Sequence, residues 1–81
     1  MTFDELDLHT FRAAEVEAVV EEFIFEAGEK GLREVRIAHG KGRGHLRRRV
    51  HAVLARLPEV EAFGQDGPNW GATCVRLRVP R

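Results

Sequence analysis

The residues best suited to chemistry in this chain of 81 fall in two clusters. The first is Asp7-Leu8-His9, a carboxylate and an imidazole two positions apart. The second is His39-Gly40-Lys41-Gly42-Arg43-Gly44, where a histidine and two cations alternate with three glycines. An imidazole near neutral pKa takes up or releases a proton, and a carboxylate beside it orients the ring or holds a metal. Glycines let backbone amides approach an anion closely, with Lys41 and Arg43 alongside. These are parts for phosphodiester cleavage. One histidine takes a proton from the attacking hydroxyl or water, and the other protonates the leaving oxygen. The loop amides and cations stabilise charge on the phosphoryl oxygens. Asp7, His9 and His39 are therefore the candidate catalytic residues. A ligand-free strand-to-helix turn, with hydrogen-bonded histidines at strand ends, satisfies the same spacing. His45 and His51 read as loop and exposed helix-face residues outside the chemistry.

Net charge is zero, but its distribution is not even. Between Met1 and Leu32 nine acids stand against two bases, and between Arg33 and Arg56 eight bases stand against one acid. The basic block surrounds the glycine loop and is an electrostatic footprint for phosphate that the total conceals. The loop lacks the spacing of a P-loop and that of a Rossmann fingerprint, which argues against a nucleotide pocket.

The elements that must position these clusters follow from periodicity. Alternation from Phe3 to His9 predicts a short first strand. Thr10 is the expected N-cap of a helix carrying Val16, Val19, Val20, Phe23, Ile24 and Ala27 at helical spacing and ending near Gly28 or Gly31. A second strand is expected from Arg33 to Ala38. Leu46, Val50, Val53, Leu54 and Leu57 then mark a second helix, stopped by Pro58. Arg47 and Arg48 fall in or next to its first turn, where a cation costs about 0.3–1 kcal/mol against the helix dipole, a conflict that a bound anion removes. A third strand from Val60 to Gln65, a turn at Asp66-Gly67-Pro68-Asn69 and a last strand from about Ala72 to Val79 complete the chain.

The order is βαβαββ, an α/β two-layer sandwich with a four-stranded mixed sheet and two helices on one face, in a single domain whose core spans about 6–79. If the first two strands are neighbours, Asp7 and His9 lie beside His39 at the carboxyl ends of a parallel pair, where open α/β sheets bind ligands. Asp7, His9, Arg76 and Arg78 are expected on the bare face, forming one polar surface continuous with the loop.

Three motifs resemble those of the small MutS-related (Smr) domain family: Leu6-Asp7-Leu8-His9, then His39-Gly40-Lys41-Gly42-Arg43-Gly44 followed by Leu46-Arg47, then Trp70-Gly71-Ala72-Thr73-Cys74-Val75. The resemblance covers Leu6 to Val79. It implies a fold similar to the C-terminal domain of bacterial translation initiation factor three. It also implies nucleic-acid binding with endonuclease activity, as DNA nicking or as RNA cleavage, including messenger RNA on stalled ribosomes. By motif position, Asp7 and His9 match the family's DLH element and His39, Gly40 and Gly42 its HGxG element. Thr10 departs from a frequent glycine, and Asn69-Trp70-Gly71 replaces a glycine-rich approach with an aromatic able to stack on a base. The residues expected to bind nucleic acid are Gly40, Lys41, Gly42, Arg43, Gly44, Arg47, Arg48, Trp70 and Arg76.

A metal-free reaction would use the ribose 2′-hydroxyl as nucleophile, whereas DNA nicking must activate water and would call on magnesium or manganese. No dedicated metal ligand set is expected. The competing reading is a non-catalytic module that binds nucleic acid or the ribosome. A nucleotide-phosphate-binding regulator, resting on the loop alone, is a third. One cysteine precludes an internal disulfide, no apolar run approaches the ~20 residues of a membrane span, and the acidic N-terminus is unlike a signal peptide. A cytoplasmic monomer without membrane contact is the expectation, and Met1 favours a free-standing protein over an excised domain.

Overall fold

The computed structural model describes residues 5–42 and 44–78. Val16, Val20, Ile24 and Ala27 of helix α1 (Val16–Glu29) and Leu46, Val50, Val53 and Leu54 of helix α2 (Gly44–Arg56) recur three or four residues apart, and all are buried. In the strands the period is two. Val35 and Ile37 of β2 (Glu34–Ala38), and Thr73, Val75 and Leu77 of β4 (Asn69–Leu77), are buried, while Arg36, Cys74 and Arg76 are not. The helical stripes and this strand face merge in one apolar cluster, so both helices lie on the same face of the sheet. This is the expected two-layer α/β sandwich.

The sheet order is β1-β2-β4-β3, with β1 (Glu5–Asp7) parallel to β2 and β4 antiparallel to both β2 and β3 (Val60–Asp66). Asp7 pairs with Ala38, so the carboxyl ends of β1 and β2 emerge side by side. Helix α1 stops as its glycines predict: Gly31 takes φ 77°, its amide bonds to the Gly28 carbonyl, and the Leu32 amide bonds to that of Ala27. No helix among the described residues is long and apolar enough to cross a membrane.

Four expectations are corrected. The first strand ends at Asp7, and Leu8–Thr10 form a 3-10 turn because the Asp7 carboxylate accepts the His9 amide at 3.0 Å; Phe3 lies outside the described residues. Thr10 does not cap α1. The helix begins at Val16 after a second 3-10 turn, Ala13–Glu15, in which Glu15 Oε1 accepts the Arg12 amide at 2.9 Å. Strand β4 starts earlier than Ala72, at Asn69, because the hairpin closes on the Gly67-Pro68 pair with Gly67 at φ 55°; Val79 lies outside the described residues. His45 belongs to the first turn of α2 and not to the loop.

Candidate functional site

Strand alternation continues past the end of β2. Val35 and Ile37 point into the core, and His39, next in that series, is 2 % exposed. It lies on the helix side of the sheet. Its Nε2 is 3.0 Å from the hydroxyl of Thr73, and its Nδ1 is 3.4 Å from the carbonyl of Gly40. The main chain ties down the same point: the amides of His39 and Gly40 both donate to the Gly71 carbonyl at 2.9 Å. Gly40 takes φ 90°, which lets the chain turn there. Gly42 and Gly44 serve differently, since a Cβ at either would meet no atom within 4 Å. Their backbone therefore lies open to a ligand. Arg43 lies outside the described residues.

Helix α2 leaves the loop with no acidic residue in its first turn, and His45 and Arg47 are among its first residues. Lys41 and Arg48 are exposed and Arg47 is half-buried. Among the described residues none of these three forms an ion pair. Other arginines are occupied: Arg56 pairs with Glu21 at 2.9 Å, Arg49 donates to the Ala13 carbonyl at 3.1 Å, and Arg78 donates to the Pro58 carbonyl at 2.8 Å. Arg47 also lies close enough to both His39 and His51 for its charge to oppose their protonation, adding to the effect of burial.

Asp7 and His9 form the second half. His9 Nδ1 lies 2.9 Å from Asp7 Oδ1, the oxygen that also accepts the His9 amide. An ionised carboxylate only accepts, so the ring proton is on Nδ1 and the lone pair on Nε2. His9 Nε2 has no partner among the described residues, and the His9 side chain is 71 % exposed. The two hydrogen bonds from His9 hold the Asp7 carboxyl below its ordinary range. The strand ends that carry the two clusters are neighbours, as expected, because Asp7 pairs with Ala38.

His39 lies on the helix side of the sheet, while the bare face carries a charge network, with Arg36 bound to Glu5 at 2.6 Å and to Asp66 at 2.7 Å. The Cys74 thiol donates to Asp66 at 3.2 Å in the same network. Arg76 is exposed but pairs in register with Glu34, at the far end of β2 from the loop, roughly 13 Å away at strand rise. Arg78 is held by Pro58. Trp70 is 53 % exposed and adjoins Gly71, so it stays beside the loop.

His51 and Thr73 were not legible as site residues. His51 does not sit on an exposed helix face: its Nε2 lies 2.9 Å from the Thr73 hydroxyl, and its ring packs edge-on against Phe63, 4.9 Å between centroids. The available signal was a threonine in the apolar series that continues with Val75 and Leu77.

The elements and their order define a small two-layer α/β domain with a glycine loop between β2 and α2. The family description of the Smr domain matches residues 6–78. The endonuclease MutS2 of Thermus thermophilus is 38 % identical over 77 residues, and that of Halalkalibacterium halodurans 40 % over 77 residues; each match covers 91 % of this chain and 10 % of the relative. The crystal structure of the Smr domain of Thermus thermophilus MutS2 superposes with a TM-score of 0.87 at 37 % identity, covering 93 % of this chain and 98 % of that one. YdaL, a stand-alone small MutS-related protein from Escherichia coli, superposes with a TM-score of 0.80 at 34 % identity, covering 91 % and 63 %. The chain belongs to the Smr domain family. It spans about a tenth of the length of the MutS2 relatives.

Proposed function

We propose that this domain binds single nucleic-acid strands or junctions through the glycine loop and the start of α2, and cleaves the phosphodiester backbone with Asp7 and His9. The observation that carries the reading is the exposed pair itself. Asp7 fixes the Nδ1–H tautomer of His9, which leaves Nε2 as a general base toward solvent, on the strand next to the one that leads into a loop whose Lys41 forms no ion pair among the described residues. The Smr domain of an endonuclease with the same fold supports it. His9 Nε2 takes the proton of the attacking hydroxyl. Lys41, Arg47 and the open amides of the loop hold the phosphate and the charge that develops on it. Arg48, exposed on α2, adds a further cation, and Arg43 belongs to the loop by its place in the sequence. His39, enclosed and with both ring nitrogens engaged, contributes by anchoring the loop.

On RNA the ribose 2′-hydroxyl is the nucleophile: its oxygen bonds to phosphorus as the bond to the 5′ oxygen breaks, a cyclic phosphate forms, and the leaving oxygen takes its proton from solvent. On DNA water must attack, which calls on magnesium or manganese. Among the described residues no three metal-ligating side chains converge, and the second carboxylate oxygen of Asp7 accepts no hydrogen bond from them. The domain works as a cytoplasmic monomer.

The test is end-mapping on matched RNA and DNA strands, in chelator and in magnesium or manganese, with His9→Ala as control. Cleavage of RNA in chelator leaving a cyclic phosphate is expected, and its loss in His9→Ala with binding kept. Binding without cleavage under any condition sinks the nuclease reading. It leaves the non-catalytic nucleic-acid or ribosome-binding module, which Lys41, Arg47 and Arg48, without ion pairs among the described residues, favour.

A further inference from the structure

Thr73 lies on β4 beneath α2 with no exposed surface, and its one hydroxyl meets two imidazoles, His39 Nε2 at 3.0 Å and His51 Nε2 at 2.9 Å. Such a hydroxyl has one proton to give and lone pairs to receive, so the two contacts cannot both be served by its proton. The surroundings decide the direction. His39 Nδ1 faces the Gly40 carbonyl, which only accepts, so a neutral His39 carries its proton on Nδ1 and leaves Nε2 bare. Thr73 gives its proton to that nitrogen. The Thr73 oxygen is then free to accept from His51, whose proton must be on Nε2.

We propose that Thr73 and His51 are positioning residues for the glycine loop, acting through a directed chain from His51 Nε2–H to Thr73 Oγ1–H to His39 Nε2. The chain holds His39 in one orientation. His39 in turn fixes where the loop leaves the sheet, because its amide and that of Gly40 share the Gly71 carbonyl. Three elements are joined: α2 by His51, β4 by Thr73 and Gly71, and the loop by His39. These must keep register if Lys41 of the loop and Arg47 of α2 are to meet one phosphate. The rings meet edge to face, 6.4 Å between centroids, and Phe63 packs on the other side of His51, so neither imidazole turns freely. The purpose assigned to the chain rests on the reading of the loop as a phosphate holder, while its proton order does not.

The experiment reads the tautomers directly by long-range proton–nitrogen correlation spectra of the whole chain. His39 is expected as Nδ1–H and His51 as Nε2–H, both kept in Thr73→Ser; in Thr73→Val His51 loses its acceptor and averages between tautomers, while the Gly40 carbonyl keeps His39 as Nδ1–H but its ring loses the bond at Nε2 that orients it. A short single-stranded RNA is the binding probe: Thr73→Val raises its Kd about three- to tenfold, and Thr73→Ser restores it to within about twofold. If Thr73→Val fails to fold, the unaltered protein and Thr73→Ser still decide the proton order. His39 found as Nε2–H, or Thr73→Val matching the unaltered protein in tautomers and Kd, overturns the proposal. Wrong tautomers with RNA binding intact sink the chain and spare the phosphate reading. Expected tautomers without RNA binding sink the phosphate reading, and with it the purpose given to the chain.

Discussion

Gly71 lies so close to Lys41 that a Cβ built on it would stand 2.8 Å from Lys41 Cγ and 3.1 Å from the Lys41 amide nitrogen. The side chain of Lys41 can swing aside, but its backbone has to move. Gly71→Ala therefore shifts the loop off β4 and loosens the bonds that His39 and Gly40 make to the same residue. A loss of about 1–3 kcal/mol in urea unfolding is expected, together with weaker oligonucleotide binding. Unchanged binding would show that the loop takes no part in it.

His9→Ala is expected to lower the cleavage rate about 10²–10⁴-fold, the range for one general acid–base group, with Kd unaltered. Asp7→Asn keeps an acceptor for His9 but removes the charge that stabilises the ring once it is protonated, so it lowers kcat with little change in KM. Single-turnover kinetics on a labelled RNA separate the two.

Among the described residues Lys41, Arg47 and Arg48 form no ion pair, whereas Arg56 pairs with Glu21. Lys41→Ala, Arg47→Ala and Arg48→Ala should each make the dependence of log Kd on log salt shallower by about one unit per lost phosphate contact. Arg56→Ala, which breaks only the pair with Glu21, should leave the slope as it is. Titrations at three or more salt concentrations give the slopes.

Trp70 is the single tryptophan of the chain, so its fluorescence reports on the loop directly. If it stacks on an unpaired base, single-stranded RNA quenches it, and Trp70→Ala weakens binding by about 1–3 kcal/mol. Duplex of the same sequence should quench less. Equal quenching by both would argue against stacking.

Stability should fall on mild acidification. Burial pushes the His39 imidazole down, partly countered by the Gly40 carbonyl and reinforced by Arg47; at His51 burial, Arg47 and His39 all act in that direction. Above the unfolded imidazole value of about 6.5 both states are neutral and stability is flat. As pH drops below it the unfolded chain takes up protons first, and stability declines until the folded values are passed. The carboxyls of Asp7 and Asp66 are depressed and add their loss only in stronger acid, below about pH 4. Urea unfolding at about pH 7.5 and about pH 5.5 should differ, and His39→Gln should flatten the difference.

The sequence by itself determined the order of elements and the family, and it named both halves of the candidate site, because each rests on local quantities. Helical spacing at Val16, Val20 and Ile24, alternation at Val35 and Ile37, and glycines at fixed offsets after His39 are all readable within a few residues. The short 3-10 turns at Leu8–Thr10 and Ala13–Glu15 were less legible, since side-chain caps from Asp7 and Glu15 outweigh the pattern there. Only the tertiary structure decided which side of the sheet His39 takes and what meets it there. Alternation gives a residue's face, but not the helix that covers that face. Thr73 and His51 are 22 residues apart in sequence and 2.9 Å apart in space, and no local period encodes that contact. It arises because α2 packs across β4, and a buried hydroxyl there must find hydrogen-bonding partners.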